Sequence, residues 1–137
     1  MITVLPEKDN NKVQILLKEV YGEIEDIQKG KDQAVLVAKE SGKNLGYIVV
    51  DIISDYIRIL DLKIDKNIDM KGLKKDELQI VDFIIKSACS YALNRNIFVI
   101  ECPQKRLYNL MDKLGCKCID GIRYLEIPKF ISCACKG

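Results

Sequence analysis

The sequence predicts an α+β fold built on one mixed, largely antiparallel sheet flanked by helices. Three observations carry this. Apolar residues switch between the helical period of about 3.6 and the strand period of 2 along the chain. Three strand-like runs between Ala34 and Ile64 are joined by turns too short for parallel crossovers. The 137 residues, 48% hydrophobic and 31% charged, suit one domain with a core of its own.

Ile2 to Leu5 reads as a short strand before Pro6. Val13, Leu16, Leu17 and Val20 then recur at helical spacing, which predicts a helix over 10–21. Ile24 and Ile27 extend the stripe as a weaker helix to 29, which Gly30 ends. Ala34–Lys39, Leu45–Ile53 and Tyr56–Ile64 form a meander, with turns at Ser41-Gly42-Lys43-Asn44 and Ser54-Asp55. A long helix over 75–94 carries the stripe Leu78, Val81, Ile84, Ile85, Ala88 and Ala92. Asp76 and Glu77 near its start suit the helix dipole. Ile97–Cys102 reads as a buried strand. Pro103 opens a helix marked by Leu107, Leu110, Met111 and Leu114, and Gly115 closes it. Cys116–Ile119 and Ile122–Ile127 flank the turn Asp120-Gly121 as a hairpin. Pro128 breaks that pairing. The expected division is one domain over 1–127 and a cysteine-containing tail over 128–137.

Composition excludes several functions. Lys+Arg 22 against Asp+Glu 20 leaves a net charge of +2, too small for an electrostatic grip on nucleic acid or an anionic membrane. The 18 Lys and 4 Arg suit solvated surfaces better than bidentate phosphate or base contacts. Uninterrupted apolar runs reach about five residues, against about 20 for a membrane span. The opening MITVLPEKDN lacks the basic-then-apolar order of a signal peptide, so a cytoplasmic location with reduced thiols is expected. The chain has no His, which removes Ser-His and Cys-His catalysis and the commonest zinc ligand.

The order β, α, (α), β-β-β, α, β, α, β-β resembles the GNAT superfamily of acyl-CoA N-acyltransferases. Three stretches carry the likeness. The meander VLVAKESGKNLGYIVVDIISDYIRILDLKI holds Leu45-Gly46-Tyr47-Ile48, similar to the start of the family's third strand. LKIDKNIDMKGLK places Leu62 and Ile64 at the family's fourth-strand end, and Asp69-Met70-Lys71-Gly72-Leu73-Lys74 at the spacing of R/Q-x-x-G-x-G/A. NLMDKLGCK resembles the family's "lYeklGFk".

The resemblance implies acetyl-CoA as co-substrate and an amine, on a small molecule or a peptide, as acceptor. It places CoA on Leu62, Ile64, Lys71, Gly72, Leu73, Lys74 and Lys75. In the family the glycine-containing loop turns backbone N–H groups onto the pyrophosphate at a helix N-terminus, where anions are favoured. Here Gly72 is kept. Asp69 replaces Arg or Gln and would repel a pyrophosphate. Lys74 replaces Gly or Ala, which hinders close backbone approach but adds an ammonium. The alternative for Lys71, Lys74 and Lys75 is a solvated helix start. The family's usual acid for the departing thiolate is a Tyr, whose position Met111 occupies. Tyr108, one turn earlier, is the substitute, or else caps a core edge.

Without His, the base that takes a proton from the amine must be a carboxylate. Glu101, near the end of its strand, and Asp61, between Leu60 and Leu62, are the candidates. Asp61 has an alternative on an exposed strand face shared with Lys63 and Asp65. Cys116-Lys-Cys118 and Cys133-Ala-Cys135 are two C-x-C pairs that together offer four thiolates to a zinc ion. A tail paired onto 122–127 would lie about 10 Å from 116–119, two strand spacings, so no metal is expected. Cys89 and Cys102 are expected in the core. The expected activity is N-acyl transfer. The alternative is a catalytically degenerate ligand-binding or interaction module on the same fold.

Overall fold

The computed structural model describes residues 2–23, 30, 32–64 and 74–130. The elements are β1 (Ile2–Pro6), α1 (Asn10–Glu23), β2 (Asp32–Glu40), β3 (Lys43–Ile53), β4 (Tyr56–Ile64), α2 (Lys75–Leu93), β5 (Val99–Cys102), α3 (Tyr108–Lys113), β6 (Lys117–Ile119) and β7 (Ile122–Glu126). They build one seven-stranded sheet in the order β1-β2-β3-β4-β5-β7-β6. The pair β4–β5 is parallel, because α2 carries the chain across between them. The other five pairs are antiparallel. The α+β class and the meander expected from the sequence are both present.

Local chemistry sets the element ends. Asp9 caps α1, its Oδ1 accepting the N–H groups of Asn11 (3.0 Å) and Lys12 (3.4 Å). The β2–β3 and β6–β7 turns each place two residues at positive φ, Ser41-Gly42 and Asp120-Gly121, the turn geometry that fits the twist of paired strands. Gly115, at φ +82°, lets Cys116 N–H return to Met111 O (3.1 Å) and so closes α3. Gly46 is needed for a different reason. A Cβ there would lie 2.4 Å from Lys63 O and 2.9 Å from Ile64 Cα, so only glycine lets β3 lie this close to β4.

Two apolar layers sandwich the sheet. On one face α2 and α3 bury Val81, Ile84, Ile85, Ala88, Leu110 and Met111 against Ile48, Val50, Ile57, Ile59, Leu62 and Ile100. On the other, α1 sets Leu17 and Val20 against Val35, Val49 and Leu60. A bulge in β4 lets both Leu60 and Asp61 stand opposite Val49, since Val49 pairs with Asp61 and Val50 with Ile59.

Three expectations change. The strand expected from Ile97 begins at Val99, because Asn96 takes φ +59° and Ile97 N–H returns to Ala92 O (2.9 Å) to close α2. The helix expected from Pro103 is a 3-10 turn over Lys105–Leu107 followed by α3. The strand expected to end at Ile127 ends at Glu126, and residues 127–130 are helical. Pro128, lacking an N–H, suits the first helical turn. Both edges of β7 are taken, by β5 and β6, which leaves none for the strand pairing considered for 130–135. The weak helix expected over 24–29 and the residues 131–137 lie outside the described residues.

Candidate active site

On the α1 face, cross-strand register lines up a row of polar side chains. Gln33 of β2 stands opposite Asp51 of β3, Asp51 opposite Arg58 of β4, Arg58 beside Glu101 of β5, and Glu101 opposite Tyr124 of β7. Partners in register share a face. Asp51 is fully buried at 0% exposure, and Glu101 is buried at 8%.

Asp51 collects donors. Its Oδ2 accepts the Tyr21 hydroxyl (2.5 Å) and Gly30 N–H (2.8 Å), and its Oδ1 accepts Gln33 Nε2 (3.0 Å). Arg58 Nη2 stands 3.6 Å from Oδ2. Burial and this carboxylate together raise the Tyr21 pKa. Gly30 proves to be a contact point: a Cβ there would meet Asp51 Oδ1 and Ile53 Cδ1 at 2.3 Å. Burial first, then the neighbouring Glu101 carboxylate, raises the pKa of both Tyr56 and Tyr124.

Asp61 is 2% exposed, so the exposed-face alternative for it is overturned. The bulge turns it onto the α1 face, where it pairs with the Arg106 guanidinium and accepts Leu62 N–H (2.9 Å). Both contacts fall on Oδ1. Beside it, Gln104 Nε2 donates to Leu60 O (3.2 Å). Both Gln104 and Arg106 lie just after β5, where β4 and β5 part.

Tyr108 is half-buried. Its hydroxyl donates to Pro103 O (3.4 Å), and the Arg123 guanidinium stacks 4.3 Å from its ring centre. Asp112 holds Arg123 at 2.9 and 3.1 Å. Burial first, then nearby Cys102, raises the Tyr108 pKa, so it is a phenol at neutral pH. Met111 is fully buried.

Of the expected CoA residues, Leu62 and Ile64 are buried on β4, Lys74 caps α2 and Lys75 begins it. Lys71, Gly72 and Leu73 lie outside the described residues. Glu77 Oε1 accepts Lys74 N–H (2.9 Å), which takes up an amide that an anion would use. A separate cleft of about 360 Å³ opens between α1 and strands β2–β4. Leu16, Val35 and Val37 line it, with Glu7, Lys12, Tyr47 and Lys63 at its polar parts.

Cys89 and Cys102 are buried, as expected, and burial pushes both thiols up to about 12. Cys116 is pushed up to about 11, again chiefly by burial. Cys118 is exposed, with Arg123 Nη1 3.3 Å from its sulfur. Cys133 and Cys135 lie outside the described residues, and among the described residues no group of three or more ligating side chains comes together. No described helix is long and apolar enough to cross a membrane.

Sequence reasoning missed Asp51, Arg58, Tyr21, Gln104 and Arg106. Asp51 and Arg58 did carry a signal: each is a charge inside an apolar run, VVDII and YIRIL, as Asp61 is.

No family profile matches the sequence, and no curated protein matches it. Solved structures do match. The PaiA N-acetyltransferase from Thermoplasma acidophilum, in complex with coenzyme A, superposes with a TM-score of 0.61 at 14% identity, over 92% of this chain and 99% of that one. The aminoglycoside 6'-N-acetyltransferase from Enterococcus faecium gives 0.61 at 12%, over 91% and 97%. The ribosomal-protein-S18-alanine N-acetyltransferase from Escherichia coli gives 0.58 at 10%, over 93% and 94%. The chain has the GNAT fold of the acyl-CoA N-acyltransferases.

Proposed function

We propose that this chain is an N-acyltransferase that moves an acyl group, acetyl in the simplest case, from a CoA thioester to an amine on a small molecule or peptide. The observation that carries this is Glu101. It is a nearly buried carboxylate beside Tyr56, at the end of the β4–β5 ladder. The shared fold with N-acetyltransferases supports the reaction class.

The thioester supplies an electrophilic carbonyl carbon and a thiolate leaving group. Glu101 accepts a proton from the amine nitrogen as that nitrogen bonds to the carbonyl carbon, and later passes it to solvent. Asp61 is the second candidate base on this face. Its Oδ1 is held by the Arg106 guanidinium and Leu62 N–H, and the paired cation lowers its readiness to take a proton. Tyr108, kept as a phenol, has a proton to give as the carbon–sulfur bond breaks. That help is optional, because a thiol of pKa about 8.5 leaves readily as the thiolate. The Leu62 and Ile64 backbone on β4 faces the acyl arm. Lys71, Lys74 and Lys75 attract the phosphate end as point charges around Gly72 and Leu73, while Glu77 competes for the Lys74 amide. The six cysteines, four of them free thiols among the described residues, support a reducing cytoplasmic setting.

A second reading is a degenerate binding module. It is favoured by Met111 at the acid position and by β4 backbone groups already occupied by side chains. Acetyl-CoA titrated calorimetrically, then incubated with a panel of amines and followed by mass spectrometry, separates the two. Binding with an acylated product supports transfer. Binding with no product from any amine supports the module.

A further inference from the structure

β4 has β5 as a ladder partner at two positions, Ile57 with Ile100 and Arg58 with Glu101, yet it runs on to Ile64. Past Arg58, with β3 still paired along its other edge, the groups on its β5 side must find other partners, since unpaired backbone groups are costly when buried. The chain supplies them from its own side chains. Gln104 Nε2 takes Leu60 O at 3.2 Å. Leu62 N–H goes to Asp61 Oδ1 at 2.9 Å, and the Arg106 guanidinium holds that carboxylate in place.

Gln104 and Arg106 both reach across from the segment that follows β5. The backbone of that segment is tied down. Leu107 is 1% exposed in the core, and the Tyr108 hydroxyl bonds Pro103 O at 3.4 Å. The Arg106 side chain is 39% exposed. Two side chains can therefore leave β4 by rotation alone, with the main chain in place.

An extended ligand carrying amides pairs with a strand much as a neighbouring strand does. We infer that Gln104 and the Asp61–Arg106 pair cover the part of β4 to which the amide-bearing arm of a CoA thioester adds, and that they swing away when it binds. The inference rests on the acyltransferase reading. Gln104 and Arg106 then oppose the ligand instead of gripping it. The chain meets CoA in a self-satisfied state, and its apparent affinity is lowered by the fraction of molecules in which the strand is covered.

The test is calorimetric titration of acetyl-CoA into the full chain, comparing wild type, Gln104→Ala and the double variant Asp61→Asn/Arg106→Gln. The double variant replaces an ion pair by two neutral amides, so no charge is left buried without its partner. Thermal melts check that each variant folds. If the double variant does not fold, Gln104→Ala alone decides. The expected result is tighter binding by Gln104→Ala, by about 3–10-fold, the worth of one neutral hydrogen bond. Unchanged or weaker binding by Gln104→Ala, with wild type binding acetyl-CoA, overturns the inference and leaves the acyltransferase reading standing. If wild type and both variants fail to bind, the acyltransferase reading falls and the inference falls with it.

Discussion

Replacing Asp51 by Asn tests the polar row on the α1 face with the smallest change of shape. Four groups surround the carboxylate, and all four donate: the Tyr21 hydroxyl, Gly30 N–H, Gln33 Nε2 and the Arg58 guanidinium. An Asn must turn an NH₂ toward some of them. Its least costly orientation keeps the oxygen toward Tyr21, Gly30 and Arg58 and sets the NH₂ against Gln33 Nε2. One buried hydrogen bond then becomes a donor–donor contact, a loss of about 1–3 kcal/mol. The Arg58 side chain, 11% exposed, also loses the negative charge 3.6 Å away. A total of about 3 kcal/mol follows, below the full cost of breaking a tight buried pair because 3.6 Å is long for one. Unfolding entropy of about 2.1 cal/mol/K per residue over 137 residues converts this to a melting temperature lower by about 10 °C. Tyr21→Phe removes only one donor, worth about 1 kcal/mol, so its drop is about 3–4 °C. Circular dichroism melts at pH 7 measure both. A melting temperature for Asp51→Asn within about 3 °C of wild type would refute the claim that this carboxylate organises the face.

Further expectations concern backbone contact and thiol burial. Gly46→Ala places a Cβ 2.4 Å from Lys63 O, a clash with backbone in the middle of the sheet, and should cost more than about 3 kcal/mol by chemical denaturation. A cost below about 1 kcal/mol would mean that β3 and β4 do not approach as described. Cys89 and Cys102, pushed from 9.0 to about 12, keep their protons in the fold at pH values where the unfolded chain has lost them. Their contribution is complete below about pH 9 and is lost as pH rises toward 12, at up to about 1.4 kcal/mol per unit per thiol. Melting temperature should therefore fall steeply above pH 9. The double variant Cys89→Ala/Cys102→Ala should melt lower at pH 7 but with a flatter alkaline slope. An unchanged slope would show that these thiols are not the groups responsible.

The meander and α2 were legible in the sequence because their signals are local and mutually consistent. Gly46 sits where two backbones nearly touch, and Asp120-Gly121 and Ser41-Gly42 occupy turns that need positive φ. Boundaries failed where a tertiary contact outweighs the pattern. Ile97 is apolar and buried like a strand residue, but its N–H closes α2. At the candidate site, Glu101 and Asp61 stood out as carboxylates in apolar runs. What sequence spacing could not give was register across strands. Asp51 and Arg58 face each other across the β3–β4 hairpin, whereas Glu101, more than forty residues later, joins them only because β5 aligns with β4. Gln104 and Arg106 were invisible for a similar reason, since their partners on β4 are more than forty residues earlier, as with Gln104 and Leu60.

The central claim is that Glu101 serves as the base in acyl transfer. CoA release from acetyl-CoA, followed with an amine that wild type accepts, tests it when wild type is compared with Glu101→Gln and Asp61→Asn. Loss of a general base lowers the rate by about 10²–10⁴. The account predicts that loss for Glu101→Gln, with acetyl-CoA affinity retained, and a smaller effect for Asp61→Asn. Release at the wild-type rate by Glu101→Gln would contradict it.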